Sequence, residues 1–243
     1  MIFGLVCLAA RVVVLRRCDE ETREELADQA RSLLTGLAAT FAFFVGFAIS
    51  ICWGAVSAAQ SAVEQQATAI TQMDWEIRNM PDAGEAATLR EKLRTFVSAA
   101  AHEDTGYLAR GVTIGLPSAV PLEEFETALR TYTDKKPESS ESSRLTNAAS
   151  ALVSTSASVA SVANRALPQP MVALLLLVAI LVSAAMGIST VMYGRRSMVF
   201  VFVWCLVPAL SLTVVLALAY PFALRTGLTV APLRAVAQHL ALT

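Results

Sequence analysis

Residues 32–63 read SLLTGLAATFAFFVGFAISICWGAVSAAQSAV, and no charged side chain interrupts them. A helix needs roughly 20 apolar residues to cross the hydrocarbon core of a bilayer, so this stretch predicts a membrane span. Two further uncharged runs, 166–194 and 197–224, are separated by Arg195 and Arg196. The pattern is therefore one span followed, after a long polar interval, by a closely spaced pair. Composition agrees: mean hydropathy is +0.56 and 16% of residues are charged, against about 25% in soluble domains. A net charge of −1 offers no polybasic surface, which excludes a nucleic-acid partner.

The N-terminus adds a fourth apolar segment, Ile2–Leu15, broken by Arg11. A secretory signal would carry its positive charge ahead of the apolar stretch. Here Arg16 and Arg17 follow it, and Val6 ahead of Cys7 spoils a lipoprotein signal. The segment reads as a short first membrane helix with its N-terminus outside, or as one clipped by a misassigned start. Arg11 is expected to snorkel toward Arg16 and Arg17. The expected class is an all-α, multi-pass cell-membrane protein with four transmembrane helices. Its expected parts are a first helix over 1–15, a cytoplasmic loop over 16–32 and a second helix over 33–57. An extracytoplasmic helical stalk follows over 58–170, then membrane helices over 171–193 and 197–222 and a tail over 223–243.

Orientation follows from the short loops. Arg16, Arg17, Arg23 and Arg31 lie between the first two helices, and Arg195 and Arg196 between the last two. Both loops fall on one side of a four-helix topology, and the excess of arginine assigns that side to the cytoplasm. The stalk, with ten basic and fourteen acidic residues, is then outside; long loops translocate despite their charge.

The stalk reads as helical. Small or apolar residues recur at Ala59, Val63, Gln66, Ile70, Met73, Ile77 and Met80, alternating steps of four and three that mark a coiled-coil seam. The second membrane helix is expected to run on as one rod to about Asn79, where Pro81-Asp82-Ala83-Gly84 breaks it. Leu89, Leu93, Phe96, Ala100 and Tyr107 mark a second helix, and Leu122, Phe125, Leu129 and Tyr132 a third. A polar stretch, 135–143, precedes a second seam at Leu145, Ala149, Leu152, Ser156, Val159, Ala163 and Ala166. The two seams are expected to pack against each other or against neighbouring copies.

Candidate chemistry is sparse. No carboxylate follows Glu141, and none lies in 32–63. A proton-coupled transporter needs an ionisable group at membrane depth, and a metal site needs clustered ligands. His102-Glu103-Asp104 is the one polar cluster, read as a solvated helix face rather than a metal half-site. The four cysteines (Cys7, Cys18, Cys52, Cys205) are scattered and read as small buried hydrophobes. No enzyme activity, cofactor or metal is expected. Phe41, Phe44 and Phe47 recur every three residues, with Phe43 beside them. They read either as a hydrophobic pore constriction that gates by dewetting or as a packing or lipid-facing stripe.

The run Phe41–Ala48, then Trp53, then Gln66–Ile70, resembles the bestrophin-like family of bacterial membrane proteins. So do Met80-Pro81 followed by Leu89–Phe96, and the closing Tyr220-Pro221-Phe222 with Gly227, Val230 and Pro232. The resemblance covers about Leu33 to Leu240. It implies four membrane helices, a homo-oligomer and, by the family's name, an anion channel. Gln66 stands where the family usually has Glu, and Ala219 or Tyr220 where it has Asp before the Pro221-Phe222 pair. If those carboxylates serve an ion site, this chain lacks it. Two functions stay open: an oligomeric bestrophin-like ion channel, or a non-catalytic structural or accessory subunit of a larger membrane complex. The partners expected are membrane lipids and either further copies or other membrane subunits.

Overall fold

The computed structural model describes residues 2–135, 137, 139–163, 168–193, 198–219 and 230–242. The described elements are all helical: α1 (Ile2–Arg17), α2 (Glu20–Arg78), α3 (Ala83–His102), α4 (Asp104–Leu108), α5 (Ala119–Thr133), α6 (Ser140–Ala163), α7 (Gln169–Ser189), α8 (Met198–Leu218) and α9 (Ala231–Leu242). They fall into two compact units, one of Met1–Trp53 with Leu167–Ala219, the other of Gly54–Ala166 with Tyr220–Thr243. Two helices are long and apolar enough to cross a bilayer, α2 and the Pro170–Ser189 stretch of α7, with Val203–Leu218 of α8 a shorter apolar stretch.

The expected loop over 16–32 is corrected: α2 begins at Glu20 and runs unbroken to Arg78. The reason is local. Asp19 accepts from the Thr22 hydroxyl and backbone N–H, which holds its carboxyl below the usual range, and Glu20 and Glu21 fill the first turn. Negative charge there complements the helix dipole. Arg31 and Asp28, one turn apart, add an ion pair. At the other end Pro81 separates α2 from α3, and Asp82 caps α3 by accepting from the backbone N–H groups of Gly84 and Glu85 at 3.0 and 3.1 Å. The second predicted helix ends at His102, so Tyr107 falls in α4 and is exposed.

In the first unit α1 packs along α7 and also meets α8, which meets α7. Lipid provides no hydrophobic drive for such contacts, so close backbone approach matters. A Cβ on Gly187 of α7 would run into the backbone carbonyl of Cys7 on α1. Phe41, Ala48 and Cys52 of α2 share a buried cluster with Leu175, Val178 and Ala179 of α7 and Leu212 and Val215 of α8.

The second unit buries one continuous core. Val63, Ile70, Met73 and Ile77 of α2 are fully buried, and Leu145, Leu152 and Val159 of α6 join them. Those seven seam residues do not form a self-contained pair of helices. The same core takes Leu93 and Phe96 from α3, Phe125 and Leu129 from α5, and Leu233 and Leu240 from α9. The segment expected as a tail thus contains a packed helix: α9 lies against α3, and Arg94 donates to the Leu240 carbonyl from Nε and Nη2 at 3.0 and 2.7 Å. The stretch 135–143 ends in a capped start to α6, where Ser139 Oγ accepts from the Ser142 N–H.

Candidate functional site

Within the first unit, α2 presents two unlike faces. One turns Phe41 into the cluster with α7 and α8, and Phe44 packs partly against the same cluster. The other leaves Phe43 68% and Phe47 53% exposed. Their rings, one turn apart, stack with centroids 6.4 Å apart and planes 1° from parallel. Gly36, Thr40, Ser50 and Gly54 continue this exposed face along the helix, and a Cβ added at Gly36 or Gly54 would touch nothing within 4 Å. The expected stripe Phe41-Phe44-Phe47 is therefore split. Spacing of three fixes which rings lie near one another, but the position of α7 and α8 decides which side of the helix is free. The free aromatic pair is Phe43 and Phe47. Between α2, α7 and α8 lies an apolar cavity of about 300 Å³ lined by Leu34, Ala38, Val182, Met186 and Trp204 among others.

Two arginines of this unit, Arg11 and Arg31, meet at Tyr193. Arg11 does not snorkel: it is 8% exposed, and its Nη2 donates to the Tyr193 carbonyl at 2.7 Å. Among the described residues its Nε and Nη1 are buried without a hydrogen-bond partner, as is Nε of Arg23. Arg23 Nη2 donates to the Leu15 carbonyl near the end of α1, and the Arg31 guanidinium lies 5.6 Å from the centre of the Tyr193 ring. Arg195 and Arg196 lie outside the described residues. The cue to Arg11 in the sequence was the i, i+4, i+7 spacing of Cys7, Arg11 and Val14, which are the buried residues of α1.

The His102-Glu103-Asp104 triplet does not converge. The His102 ring bonds its own helix at Ser98. Asp104 is buried and accepts from the Ser118 N–H at 3.0 Å and from the Ser118 hydroxyl, tying α4 to the start of α5. Burial pushes the Asp104 carboxyl up, with those bonds opposing. Among the described residues no group of three metal-ligating side chains comes together. Tyr132, held up at about 12 by burial and by Glu141, donates to that carboxylate at 2.6 Å.

An all-helical fold with apolar spans and an aromatic face on the second helix can be compared with known proteins. The bestrophin-like domain pattern matches residues 1–231. The chain belongs to the bestrophin-like family. The bestrophin-like fold is matched by a crystal structure of a bacterial bestrophin homologue from Klebsiella pneumoniae, phased by zinc. That likeness has TM-score 0.68 and 16% identity, over 98% of this chain and 94% of that one. A variant of a Klebsiella pneumoniae homologue gives TM-score 0.70 at 15% identity, over 99% and 97%. At such identity the likeness is one of fold. No curated protein matches the chain by sequence. Family membership and the apolar helices make it a membrane protein.

The motif positions of this bestrophin-like chain fall in structural places. Gln66, where the family usually has Glu, is buried, and its Nε2 donates to Ser156 Oγ on α6 at 3.1 Å. A neutral amide suits that neighbour better than a carboxylate facing an apolar core. Pro81 is exposed at the break after α2. In the Leu89–Phe96 motif, Arg90 pairs with the buried Asp74 at 2.9 Å, while Leu93 and Phe96 enter the core. Tyr220, Pro221, Phe222, Gly227 and Ala166 lie outside the described residues.

Proposed function

We propose that this bestrophin-like chain is one subunit of a homo-oligomeric, multi-pass ion channel that passes anions, with the free face of α2 lining the pathway. The observation that carries it is the exposed, parallel Phe43–Phe47 pair on a helix face that is otherwise small and uncharged. A ring of such faces makes an apolar constriction that wets and dewets. The stretch 32–63 bears no carboxylate, so no fixed negative charge there repels an anion. The Klebsiella pneumoniae structures that share this fold are those of a bestrophin homologue, and the family likeness supports the channel reading for this chain. The reading is non-enzymatic.

Topology fits a four-span chain. Residues 54–163 and α9 belong to one compact unit, which supports the reading that α7 and α8 cross the bilayer and return. α1 and α2 supply the other two crossings. The arginines at 16, 17, 23 and 31 favour the opposite face as cytoplasmic, which leaves the second unit outside. Cysteines at Ser140 and His239 should then label alike, and from outside, in intact cells.

The test is the native mass in mild detergent together with chloride flux in liposomes. A homo-oligomer that releases chloride supports the channel. A silent protein recovered with unrelated subunits would overturn it in favour of an accessory subunit.

A further inference from the structure

We propose that the first unit holds a binding site for a lipid phosphate, with the guanidinium of Arg11 at its centre, Arg31 beside it at Tyr193, Arg23 one turn along α1 at Leu15, and the apolar cavity receiving an acyl chain. The proposal does not depend on whether the chain conducts ions.

The argument starts from a charge without a counter-charge. Arginine stays protonated in any protein environment and carries five N–H donors. Among the described residues Nη2 of Arg11 has one partner, the Tyr193 carbonyl, and Nε and Nη1 are buried with none. Such a group is strongly unfavourable unless something outside the chain answers it. Nothing in the neighbouring helices does: α1, α7 and α8 contain no Asp or Glu. Of the acids near the start of α2, Asp28 is engaged by Arg31, Asp19 accepts from Thr22 and lies near Arg23 rather than Arg11, and Glu20, Glu21, Glu24 and Glu25 are exposed.

The surroundings repeat the need. Arg23 also leaves a buried Nε unbonded while its Nη2 caps the Leu15 carbonyl. Arg31 lies over the same Tyr193 whose carbonyl holds Arg11. A planar guanidinium offers paired N–H groups that match two oxygens of a phosphate. Position selects the source of that phosphate. Arg11 precedes Arg17, the last residue of α1, by six positions, about 9 Å at 1.5 Å per residue, which places it nearer the arginine-bearing end of the helix than the other. Leu34, one turn along α2 from Arg31, lines the cavity of about 300 Å³, and Met186 and Trp204 complete its apolar wall. An acidic phospholipid presents both parts at once: a phosphate for the arginines and a chain for the cavity.

The experiment uses the full chain in detergent. Phosphatidylglycerol, phosphatidylcholine and inorganic phosphate are added separately, and binding is read by native mass and by the shift in melting temperature. Phosphatidylglycerol should remain bound and raise the melting temperature more than phosphatidylcholine does. Arg11→Met should weaken that binding about tenfold or more, the loss expected when charge-assisted hydrogen bonds go. Full stabilisation by inorganic phosphate alone would keep the arginine site but overturn the lipid as its source. Should Arg11→Met not fold, Arg23→Gln and Arg31→Gln carry the test, because both side chains lie nearer the surface and each should weaken binding. Equal response of wild type and these variants, or no response to any phosphate compound, overturns the proposal.

Discussion

Removing one phenylalanine at a time from α2 separates a pore wall from a packing face. Phe→Ala in a well-packed interior costs about 3–5 kcal/mol. Phe41 is 7% exposed and should lose nearly that full amount. Phe43 is 68% exposed, so about a third of the ring is covered and Phe43→Ala should cost roughly 1–1.5 kcal/mol by the same scale. Phe47, 53% exposed, falls between, at roughly 1.5–2.5 kcal/mol. Thermal unfolding in one detergent should therefore rank the three variants Phe41, Phe47, Phe43 from most to least destabilised. Chloride flux should rank them the other way: Phe43→Ala and Phe47→Ala widen and wet the constriction and raise flux, while Phe41→Ala leaves the flux of the surviving folded protein unchanged. Two results would refute the reasoning. If Phe43→Ala destabilises the purified oligomer as much as Phe41→Ala, the face is packed against a neighbour. If flux rises only in Phe41→Ala, the conducting face is the one assigned here to α7 and α8.

Ile70→Asp should lower stability by about 3–5 kcal/mol, because a charge would enter a fully buried position with no partner; an unchanged melting temperature would contradict the core described for the second unit. Gly187→Ala should separate α1 from α7, since the new methyl meets the Cys7 carbonyl, at about 1–3 kcal/mol, and a variant as stable as wild type would argue against that close approach. Asp104 gives a pH signature. Its native pKa is raised by burial above the unfolded value of about 3.9, so the native state takes up the proton first. Its contribution is greatest below the unfolded value and declines as pH rises toward the raised native one. Asp104→Asn should flatten that slope in pH-dependent melting, and an unchanged slope would discount the buried carboxylate.

Much of this protein was legible without coordinates because the bilayer and the helix both impose periods on sequence. An uncharged run of sufficient length has few alternatives to a span, and the four-three rhythm from Ala59 to Met80 marks the helix side that is buried in the structure. The break at Pro81 to Gly84 follows from proline and a capping aspartate acting locally. What the rhythm could not reveal was the number of partners on that side. A seam facing one helix and a seam facing four leave the same pattern, so α3, α5 and α9 joining α6 in one core had to come from tertiary contacts. The helix over 231–242 carried its own signal, Leu233, Val236, Ala237 and Leu240 at helical spacing, yet its docking against α3 depends on Arg94, distant in sequence.

The sequence by itself determined that the chain is a helical membrane protein and that a cluster of phenylalanines sits on its second helix. Only the tertiary structure decided that Phe41 faces inward while Phe43 and Phe47 do not, and that Arg11 is enclosed rather than extended to water. The physical reason is common to both. Spacing along a helix sets which side chains share a face, but burial depends on neighbouring helices. α7 and α8, more than a hundred residues away along the chain, set which face of α2 is free, and the carbonyl of Tyr193, four residues past the end of α7, is where the Arg11 guanidinium comes to rest.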